Sequence, residues 1–511
     1  MKKCYLSALM VFVIVMISAC GTNNNNTGET NESEVNEDGN TKLVVAQQAD
    51  TSTLDPQKQG KMPDMNILIN IFDTLVGIDE ENNLAPSLAL EWEPVGDTTW
   101  EFKLREGVTF HNGEEFNAET VKFSIDRLLD PETQSPIVEL NNVDSVEVID
   151  DYTVQIHTDG PDPILPNKLT LFGGVIVPKQ YIEENGDDHF AEEPVGTGPF
   201  KYVSWQRDSE VVMEANDAYW AGAPEISELV FRAIPDTSNL AAALRAGEID
   251  IATNISPDVA KQIENESGIN VVVEEGIRTF FISLDAENSD SPLAHKEVRQ
   301  ALNYAIDVDL LIDSVLDGYA NKVATLIPKQ NFGFDPAIEP YEYDLDKAKK
   351  LLADAGYPDG FTIELDANNL DSDIVQVFAT QLGEVGVEVN INLMDGQTFI
   401  SNIQAEKAAP MYFQGNTGWT LDAMSNFQSY VKSDRRYNRW ENDKADELVD
   451  VEEQTIDPEI RQTAFTEAQE LLKEEAPFIF LYQIENLYGM SDQVSWKPNS
   501  IGVLKMYNAS K

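Results

Sequence analysis

Cysteine is nearly absent from this chain of 511 residues, which contains only Cys4 and Cys20. Both precede the part of the sequence that has the composition of a folded protein. A disulfide framework, a zinc-thiolate site and a cysteine nucleophile are therefore excluded for that part. Histidine occurs four times, at positions without the spacing of metal ligands. We therefore expect no metal site.

Basic residues are few, because 35 Lys and Arg stand against 90 Asp and Glu, for a formal net charge of -55. Such a field repels phosphate backbones and anionic lipid headgroups. Nucleic acid is therefore excluded as a partner, and contact with a membrane would have to come from an anchor. The charge itself is typical of a solvated surface suited to salty or alkaline surroundings.

Motifs of catalysis are missing as well. The chain has no H-E-x-x-H, no G-x-S-x-G nucleophile elbow and no G-x-x-x-x-G-K-[ST] phosphate loop. The segment GTGPF at 196–200 predicts a turn, since no third glycine follows to open a helix. The acidic cluster at 366–373 lacks the glycine and terminal glutamate of a calcium loop. These absences indicate a protein that is not an enzyme and binds no cofactor.

A long hydrophobic run occurs once, at the N-terminus. Lys2 and Lys3 precede a charge-free run from Tyr5 to Ala19, which is short for a membrane-spanning helix and has the layout of a signal peptide. The segment ISAC that ends at Cys20 resembles the lipobox of bacterial lipoproteins. The resemblance implies cleavage before Cys20 and acylation of that residue, which would anchor the protein to the outer face of the cell membrane.

The segment after Cys20 has the composition of a tether. Residues 21–42 contain seven Asn, five acids and one large aliphatic residue, Val35. Such a segment cannot bury enough apolar surface to fold. We therefore expect a disordered tether at 20–42.

The rest of the chain alternates between strand and helix patterns. The sequence predicts strands at Lys42–Gln47, Trp100–Leu104, Val146–Ile149, Val154–His157, Val175–Val177, Val211–Ala215, Val271–Glu274, Phe280–Leu284, Val387–Leu393 and Phe478–Tyr482. It predicts helices after Asn117 and at Lys296–Asp307, Leu345–Ala355, Ile374–Val385 and Glu459–Glu475. A hairpin is expected around Trp100–Phe110, next to the turn pair Asn112-Gly113. This pattern predicts mixed α/β layering in more than one lobe, with strands that cross between lobes.

Four ordered blocks of sequence resemble one known family. They are LAPSLALEWEPVGDTTWEFKLREGVTFHNGEEFNAETVKFSIDRL (84–128), PVGTGPFKYVSW (194–205), FFISLDAENSDSPLAHKEVRQALNYAIDVDLLIDSVLDGYA (280–320) continued by YDLDKAKKLLADAGYPDGF (343–361), and GWTLD (418–422) with AQELLKEEAPFIFLYQ (468–483). The blocks together resemble extracellular solute-binding proteins of family 5, the peptide and nickel receptors of ABC importers.

The resemblance implies an α/β fold of the periplasmic-binding-protein-like kind, type II and cluster C. Two lobes close about a hinge in this fold, and an extra subdomain is inserted early in the chain. The expected boundaries are a signal peptide (1–19), a lipidated Cys20 with its tether (20–42), lobe I (43–72, 176–277 and 481–511), the inserted subdomain II (73–175) and lobe III (278–480).

The resemblance also implies ligand-binding residues. In similar peptide receptors the Asp of the segment that matches 418–422 grips the peptide α-ammonium, which gives Asp422 the task of pairing with a desolvated cation. The loop after Asp422 departs from the family pattern, which leaves the ligand class open. The arginine that meets the peptide carboxylate in dipeptide receptors would fall within 369–373, where this chain has no basic residue. Arg278 is the candidate for that task.

Further candidates are Trp419, Tyr412, Phe281 and the loop that contains Asp50 and Thr51. Aromatic faces and hydroxyl groups are what a closed peptide pocket supplies. Core packing explains each of these residues equally well.

The sequence thus predicts a lipid-anchored, monomeric receptor that captures a peptide-like solute outside the membrane and delivers it to the transmembrane subunits of an ABC permease. Glutathione, nickel chelates, heme and oligosaccharides stay open as ligands within the family. A secreted hydrolase is the alternative from another class, although no nucleophile, base and metal can be named for it. A signalling receptor that presents its ligand to a partner is a third hypothesis.

Overall fold

The computed structural model describes residues 41–433, 435 and 437–511, and Thr41–Lys511 form one compact unit. The predicted signal peptide, Cys20 and the tether up to residue 40 lie outside the described residues. The predicted strand Lys42–Gln47 is confirmed, so Lys42 belongs to the folded unit and not to the tether. Within the described ranges, no helix combines the length and the apolar character needed to cross a membrane.

The strands are β1 (Lys42–Gln47), β2 (Val76–Ile78), β3 (Leu84–Pro86), β4 (Ala89–Gly96), β5 (Thr99–Leu104), β6 (Val143–Asp150), β7 (Thr153–Thr158), β8 (Phe200–Gln206), β9 (Glu210–Ala215), β10 (Glu228–Ala233), β11 (Ile251–Ala252), β12 (Ile269–Leu284), β13 (Ala320–Lys322), β14 (Phe361–Asn368), β15 (Val387–Met394), β16 (Met411–Thr417) and β17 (Phe478–Ser491).

The helices are α1 (Met62–Ile71), α2 (Ala118–Leu129), α3 (Leu165–Lys168), α4 (Lys179–Asn185), α5 (Asp187–Glu192), α6 (Thr237–Arg245), α7 (Pro257–Ile263), α8 (Lys296–Tyr304), α9 (Val308–Val315), α10 (Leu345–Asp354), α11 (Ser372–Gly383), α12 (Gly396–Gln404), α13 (Met424–Tyr430), α14 (Asp443–Glu453) and α15 (Pro458–Glu475). Short 3-10 turns lie at Phe172–Gly174, Pro292–Ala294 and Asn369–Asp371.

One mixed sheet runs through the folded unit. Among the described residues it has eleven strands, in the order β15-β14-β16-β12-β17-β11-β1-β10-β9-β8 with β13 beside β17. Its central pair, β12 and β17, is antiparallel from Ile269 opposite Ser491 to Ser283 opposite Phe478. The sequence predicts two short strands where β12 is continuous, because a bulge between Glu275 and Thr279 interrupts the local pattern. The predicted crossing of strands between lobes is therefore confirmed.

The two halves of this sheet have separate hydrophobic cores. Lobe I carries β1 and β8 to β11, with Leu43 in one buried cluster and Val44, on the other face of β1, in a second. Lobe III carries β13 to β16 and has clusters around Leu365 and Phe427. Both β12 and β17 contribute to both lobes. The smaller sheet β4-β5-β7-β6 shares a core with lobe I, since Phe102 packs in the same cluster as Leu43. The domain boundaries expected from the sequence stay predictions.

Residues from 504 onward return to lobe I and pack on α1. Asn70 Nδ2 donates to the carbonyl of Leu504 at 2.8 Å, and the backbone N–H of Met506 donates to Asn70 Oδ1 at 2.8 Å. Lys511 forms an ion pair with Asp250 at 2.7 Å. Segments more than 400 residues apart in the chain therefore close one core together.

Helix starts agree with the sequence where a side-chain cap sets them. Asn117 accepts hydrogen bonds from the backbone of Glu119 and Thr120 and begins α2 in a capping box. Asp344 and Asp457 cap α10 and α15 in the same way. The predicted starts of these three helices are confirmed to within one residue.

Three local predictions need correction. Val175–Val177 is not a strand, since only Val175 forms an isolated bridge, with Thr74. The helix predicted at Lys296–Asp307 ends at Tyr304, because Asp307 caps a new helix, α9, through the backbone N–H of Leu310. The predicted hairpin forms one strand earlier, between β4 and β5, while Asn112-Gly113 closes only the bridge between Thr109 and Glu115.

Candidate functional site

The register of the large sheet brings two sets of strand ends face to face. In lobe I, β1 and β11 are parallel and β11 is antiparallel to β17, so both run in the direction of β12. Since β12 leads from lobe I into lobe III, the carboxyl ends of β1 and β11 point toward lobe III. The loop with Asp50 and Thr51 follows β1 at this edge.

Lobe III presents the matching edge. Its strand β16 is antiparallel to β12, with Thr417 opposite Arg278, so β16 ends where β12 enters the lobe. The parallel neighbour β14 ends at the same edge and leads into the 3-10 turn Asn369–Asp371. The space between these two edges is called the cleft below. Ligands of open α/β sheets bind outside the carboxyl ends of the strands.

Arg278 is exposed at the lobe III edge of the cleft, and its guanidinium carbon lies 4.7 Å from the centre of the Phe280 ring. A β-carbon on the neighbouring Gly415 would lie 2.8 Å from Arg278 Nε, so only glycine leaves room for this stacked position. Within the part of the chain that the structure describes, the arginines paired with carboxylates are Arg127, Arg232, Arg245, Arg299 and Arg461. Arg278 is not among them and has unused donors.

The turn at 369–371 lies close enough to Arg278 for their charges to interact. Burial raises the pKa of Asp371, and the positive charge of Arg278 lowers it in part. The adjacent Leu370 has 91% of its surface exposed, which is unusual for a leucine at the end of a buried strand. This edge of the cleft thus combines a cation with an unpacked apolar side chain.

Asp422 is buried, and its carboxylate already has partners. Arg461 Nη1 donates to Asp422 Oδ2 at 2.9 Å, Arg461 Nη2 donates to Oδ1 at 2.6 Å, and the backbone N–H of Met424 donates to Oδ1 at 3.0 Å. Asp422 is 3% exposed. Three of its roughly four acceptor positions are therefore used inside the protein. The role of Asp422 toward a ligand stays a prediction.

The turn that carries Asp422 is strained and tightly held. Leu421 has a φ of 57°, in the left-handed region that favours glycine. Its carbonyl accepts from Phe332 N at 2.9 Å, and the Phe332 carbonyl accepts from Ala423 N at 2.9 Å. The rings of Phe332 and Phe465 each lie 5.2 Å from the guanidinium carbon of Arg461. The turn thus holds Asp422 in place, and the two aromatic rings hold the guanidinium of Arg461.

Trp419 is half-buried and contacts the segment 165–174. Its ring meets the ring of Phe172 edge-on, with the centroids 5.5 Å apart. Next to it, Asn167 Nδ2 donates to the carbonyl of Thr420 at 2.7 Å. These contacts join the segment 165–174 to lobe III.

Asp50 and Thr51 lie at the lobe I edge, but their polar groups bond within that lobe. Asp50 accepts from Trp205 Nε1 at 3.0 Å and from the backbone N–H of Asp208 at 2.7 Å. Thr51 Oγ1 donates to the carbonyl of Thr53 at 2.7 Å and is buried. The two residues hold the shape of the loop that follows β1.

Phe281 and Tyr412 are core residues in this structure. Both have no exposed surface. Phe281 packs edge-on against Tyr430 and Phe478 at 5.4 and 5.1 Å, and the Tyr412 hydroxyl donates to the carbonyl of Tyr437 at 3.1 Å. Both residues therefore pack in the core, and their role toward a ligand stays a prediction.

Two buried residues beside Asp422 were not identified from the sequence. Arg461 lies on α15 and Glu452 on α14, and Glu452 has no exposed surface. Within the described part of the chain, neither of its carboxyl oxygens has a hydrogen-bond partner. Burial and then the charge of Asp422 raise the pKa of Glu452 well above its ordinary value, while Arg461 lowers it in part. Charged residues are usually exposed in helices, so no sequence signal distinguishes these two.

Outside the cleft, possible binding sites are a groove and any cluster of metal-binding side chains. A shallow groove of about 510 Å³ lies along α15, lined by residues such as Phe332, Pro458 and Gln462. The groove contains none of the predicted ligand residues. No group of three or more His, Cys, Asp or Glu side chains is placed to hold a metal ion anywhere in the described ranges.

Comparison with known proteins agrees with this geometry. The model of the bacterial extracellular solute-binding proteins, family 5, matches residues 83–438. The glutathione-binding protein GsiB of Pectobacterium atrosepticum is 30% identical over 454 residues, which is 86% of this chain and 88% of that protein.

Solved structures have the same fold. HbpA2 from Haemophilus parasuis superposes with a TM-score of 0.83 and 25% identity, over 92% of this chain and 99% of that one. The ABC transporter-associated periplasmic binding protein DppA from Helicobacter pylori, in complex with the peptide STSA, gives 0.75 and 27%, over 93% and 99%. The two lobes, the strand ends that face each other and these matches agree: the chain belongs to family 5 of the bacterial extracellular solute-binding proteins.

Proposed function

We propose that this chain captures a peptide-like solute in the cleft, closes its two lobes around it and delivers it to an ABC permease. The observation that carries the proposal is Arg278 on β12, opposite the end of β16, which is exposed and has no carboxylate partner among the described residues. A cation that already lies stacked on an aromatic ring loses little side-chain entropy when it binds an anion. The site is therefore suited to a carboxylate of the solute.

The remaining cleft residues suggest how the solute is held. Arg278 takes a carboxylate, Leu370 covers an apolar part, and Trp419 closes over the solute from lobe III. Asp422 takes a cationic group, and Asp50 and Thr51 shape the opposite wall. Glutathione and the peptide STSA, which relatives bind by their names, both carry an α-ammonium and carboxylates, so both fit this arrangement.

The anchor is part of the same proposal. Acylation of Cys20 would keep a monomeric receptor at the outer face of the cell membrane, next to its permease. Metabolic labelling with a fatty acid is expected to tag the wild type, and Cys20→Ala is expected to release unlabelled protein into the medium. Unchanged labelling of the variant would contradict the anchor.

The first experiment is mass spectrometry of the solute that co-purifies with the protein, followed by titration calorimetry with that solute. Arg278→Gln is expected to weaken binding about tenfold to a hundredfold, since a hydrogen bond to a charged group contributes about 1.5 to 3 kcal/mol. Arg245→Gln, which removes an exposed arginine on α6 paired with Glu266, is the matched control.

Several results would contradict the proposal. Equal affinity of the Arg278→Gln variant and the wild type would remove Arg278 from the site. Turnover of the solute would favour a secreted hydrolase. Binding of a nickel chelate and of no peptide would indicate that the chain is a nickel receptor.

A further inference from the structure

Two buried carboxyl groups lie beside one buried guanidinium in lobe III. Asp422 holds both outer nitrogens of Arg461. Arg461 Nε donates to the backbone carbonyl of Glu452 at 3.2 Å, so the same guanidinium also lies against residue 452. The side-chain oxygens of Glu452 have no hydrogen-bond partner among the described residues, although Glu452 is fully buried. An unpartnered buried carboxyl costs free energy, and it is the kind of group that calls for an explanation.

The other charges around Glu452 do not supply a partner for it. On its own helix, Glu453 and Asp450 are bound to Lys432, at 2.6 and 2.8 Å. From the turn after β16 comes Asp422, and from α15 comes Arg461. Burial and the charge of Asp422 raise the pKa of Glu452, so its protonated form is favoured while Asp422 keeps the guanidinium.

A cation that arrives at Asp422 upsets this balance. Arg461 and the added cation would then share one carboxylate in a buried site. This arrangement costs free energy, because one of the two positive charges is left without a counterion. A second carboxylate for Arg461 would remove the problem, and Glu452 is the residue whose backbone carbonyl already accepts from Arg461 Nε. Only the outer nitrogens of the guanidinium need to change partner, since Nε already bonds to residue 452.

We propose that Glu452 is the alternative counterion of Arg461: when a cationic group of the solute pairs with Asp422, Arg461 turns to Glu452, which ionises and releases its proton to water. The exchange conserves charge, since one cation enters and one proton leaves. It rests on the proposed function only in assigning the incoming cation to the solute. Arg461 and Glu452 are thus positioning residues, which decide whether Asp422 is available.

The exchange is tested without any solute by a double-mutant cycle. Asp422→Asn removes the charge that Arg461 uses, so Glu452 should ionise and replace it, with a small loss of Tm. Glu452→Gln alone should not lower Tm at pH 8. The double variant leaves Arg461 without a counterion, and its loss of Tm should exceed the sum of the single losses by roughly 1 to 3 °C.

The cycle can overturn the proposal in two ways. Additive losses would mean that Glu452 does not replace Asp422. A folded Glu452→Gln variant together with an Asp422→Asn variant that fails to fold would mean the same. Glu447→Gln, on the exposed side of the same helix, is the matched control and should leave Tm unchanged.

A second measurement tests the solute step. Calorimetry with trialanine at pH 7, in two buffers of different ionisation enthalpy, should show release of about one proton by the wild type. Glu452→Gln should bind with no proton release. Binding by the wild type without proton release would overturn the exchange. If neither trialanine nor glutathione binds, the proposed function fails for these solutes, while the cycle still decides the exchange.

Discussion

Among single residues, His111 fixes the glycine-containing loop at 196–198 in place. His111 Nε2 donates to the carbonyl of Gly198 at 2.9 Å, and Nδ1 accepts from the backbone N–H of Gly196 at 3.4 Å. A β-carbon at Gly196 would lie 2.0 Å from the carbonyl oxygen of Ile71, so the loop can only approach α1 without a side chain there. The GTG segment, for which the sequence predicts a turn, thus packs closely against the end of α1.

The state of His111 makes stability depend on pH. Burial lowers the pKa of His111 to about 4. The unfolded chain therefore binds a proton between about pH 6.5 and 4 that the folded chain refuses, and stability is lost as the pH falls through this range. The shift corresponds to about 3 kcal/mol, which partial exposure of the ring reduces to about 2 kcal/mol.

His111→Gln keeps a donor for Gly198 and removes the titration. We expect its free energy of unfolding, measured with urea, to fall less than that of the wild type between pH 6.5 and 4. His295→Gln, at an exposed position, should keep the wild-type slope. Identical slopes for all three proteins would contradict this assignment.

For single residues, the sequence predicts which side chains suit a binding site better than it predicts their burial and their partners. Arg278 and Trp419 could be selected because cations and aromatic rings are useful in a cleft. The burial of Phe281 and Tyr412 could not be predicted, since it depends on strands distant in the chain. The partner of Asp422 could not be predicted either, because Arg461 lies 39 residues away on another helix.

Among the elements, β12 and β17 join the lobes, and Gly276 lies where β12 bulges. A β-carbon at 276 would lie 2.8 Å from the backbone oxygen of Ile484 on β17. Gln483 Nε2 also donates to the carbonyl of Gly276 and holds the bulge against β17. Where the two lobes join, β12 and β17 therefore make a close backbone contact that a side chain at 276 would push apart.

Gly276→Ala is expected to destabilise the protein by about 1 to 3 kcal/mol, since the obstacle is backbone and cannot rotate away. The change should also alter the radius of gyration measured by small-angle X-ray scattering, because it separates β12 from β17 where the two lobes join. Gly383→Ala is the control, since no atom lies within 4 Å of its β-carbon, and should be neutral or stabilising. Equal stability of the two variants would contradict the account of the bulge.

The sequence predicts elements well where the signal is local. The caps Asn117, Asp344 and Asp457 act within three residues, so the starts of their helices could be placed. The sequence does not show that β12 is one continuous strand. Its hydrogen bonds to β17 continue on both sides of an irregular, charged segment, and local patterns do not reveal them. The pairing order of the large sheet depends entirely on such distant contacts, and here the family resemblance supplied what local patterns do not.

The molecule as a whole carries a formal net charge of -55, and most of this charge lies in one compact unit, Thr41–Lys511. Repulsion among like charges opposes compactness, and salt shortens its range to about 8 Å at physiological ionic strength. The exposed ion pairs that salt also weakens contribute little each. We therefore expect repulsion to be the larger effect.

The Tm is expected to rise between about 10 mM and 1 M sodium chloride, measured by differential scanning calorimetry. Sucrose of equal osmolality is the control, since it acts by exclusion from the surface and not by screening. A Tm that is flat or falls in salt, or that rises equally in sucrose, would show that screening is not the cause.

The return of residues 504–511 to α1 and Asp250 also sets the order in which the chain can fold. During synthesis, lobe I receives its first strand at residue 42 but is closed only after residues 504–511 have been made. Contacts at such sequence separation form slowly. Lobe I therefore stays incompletely folded while the chain is being made. A polypeptide that passes through a secretion channel must be in such an unfolded state.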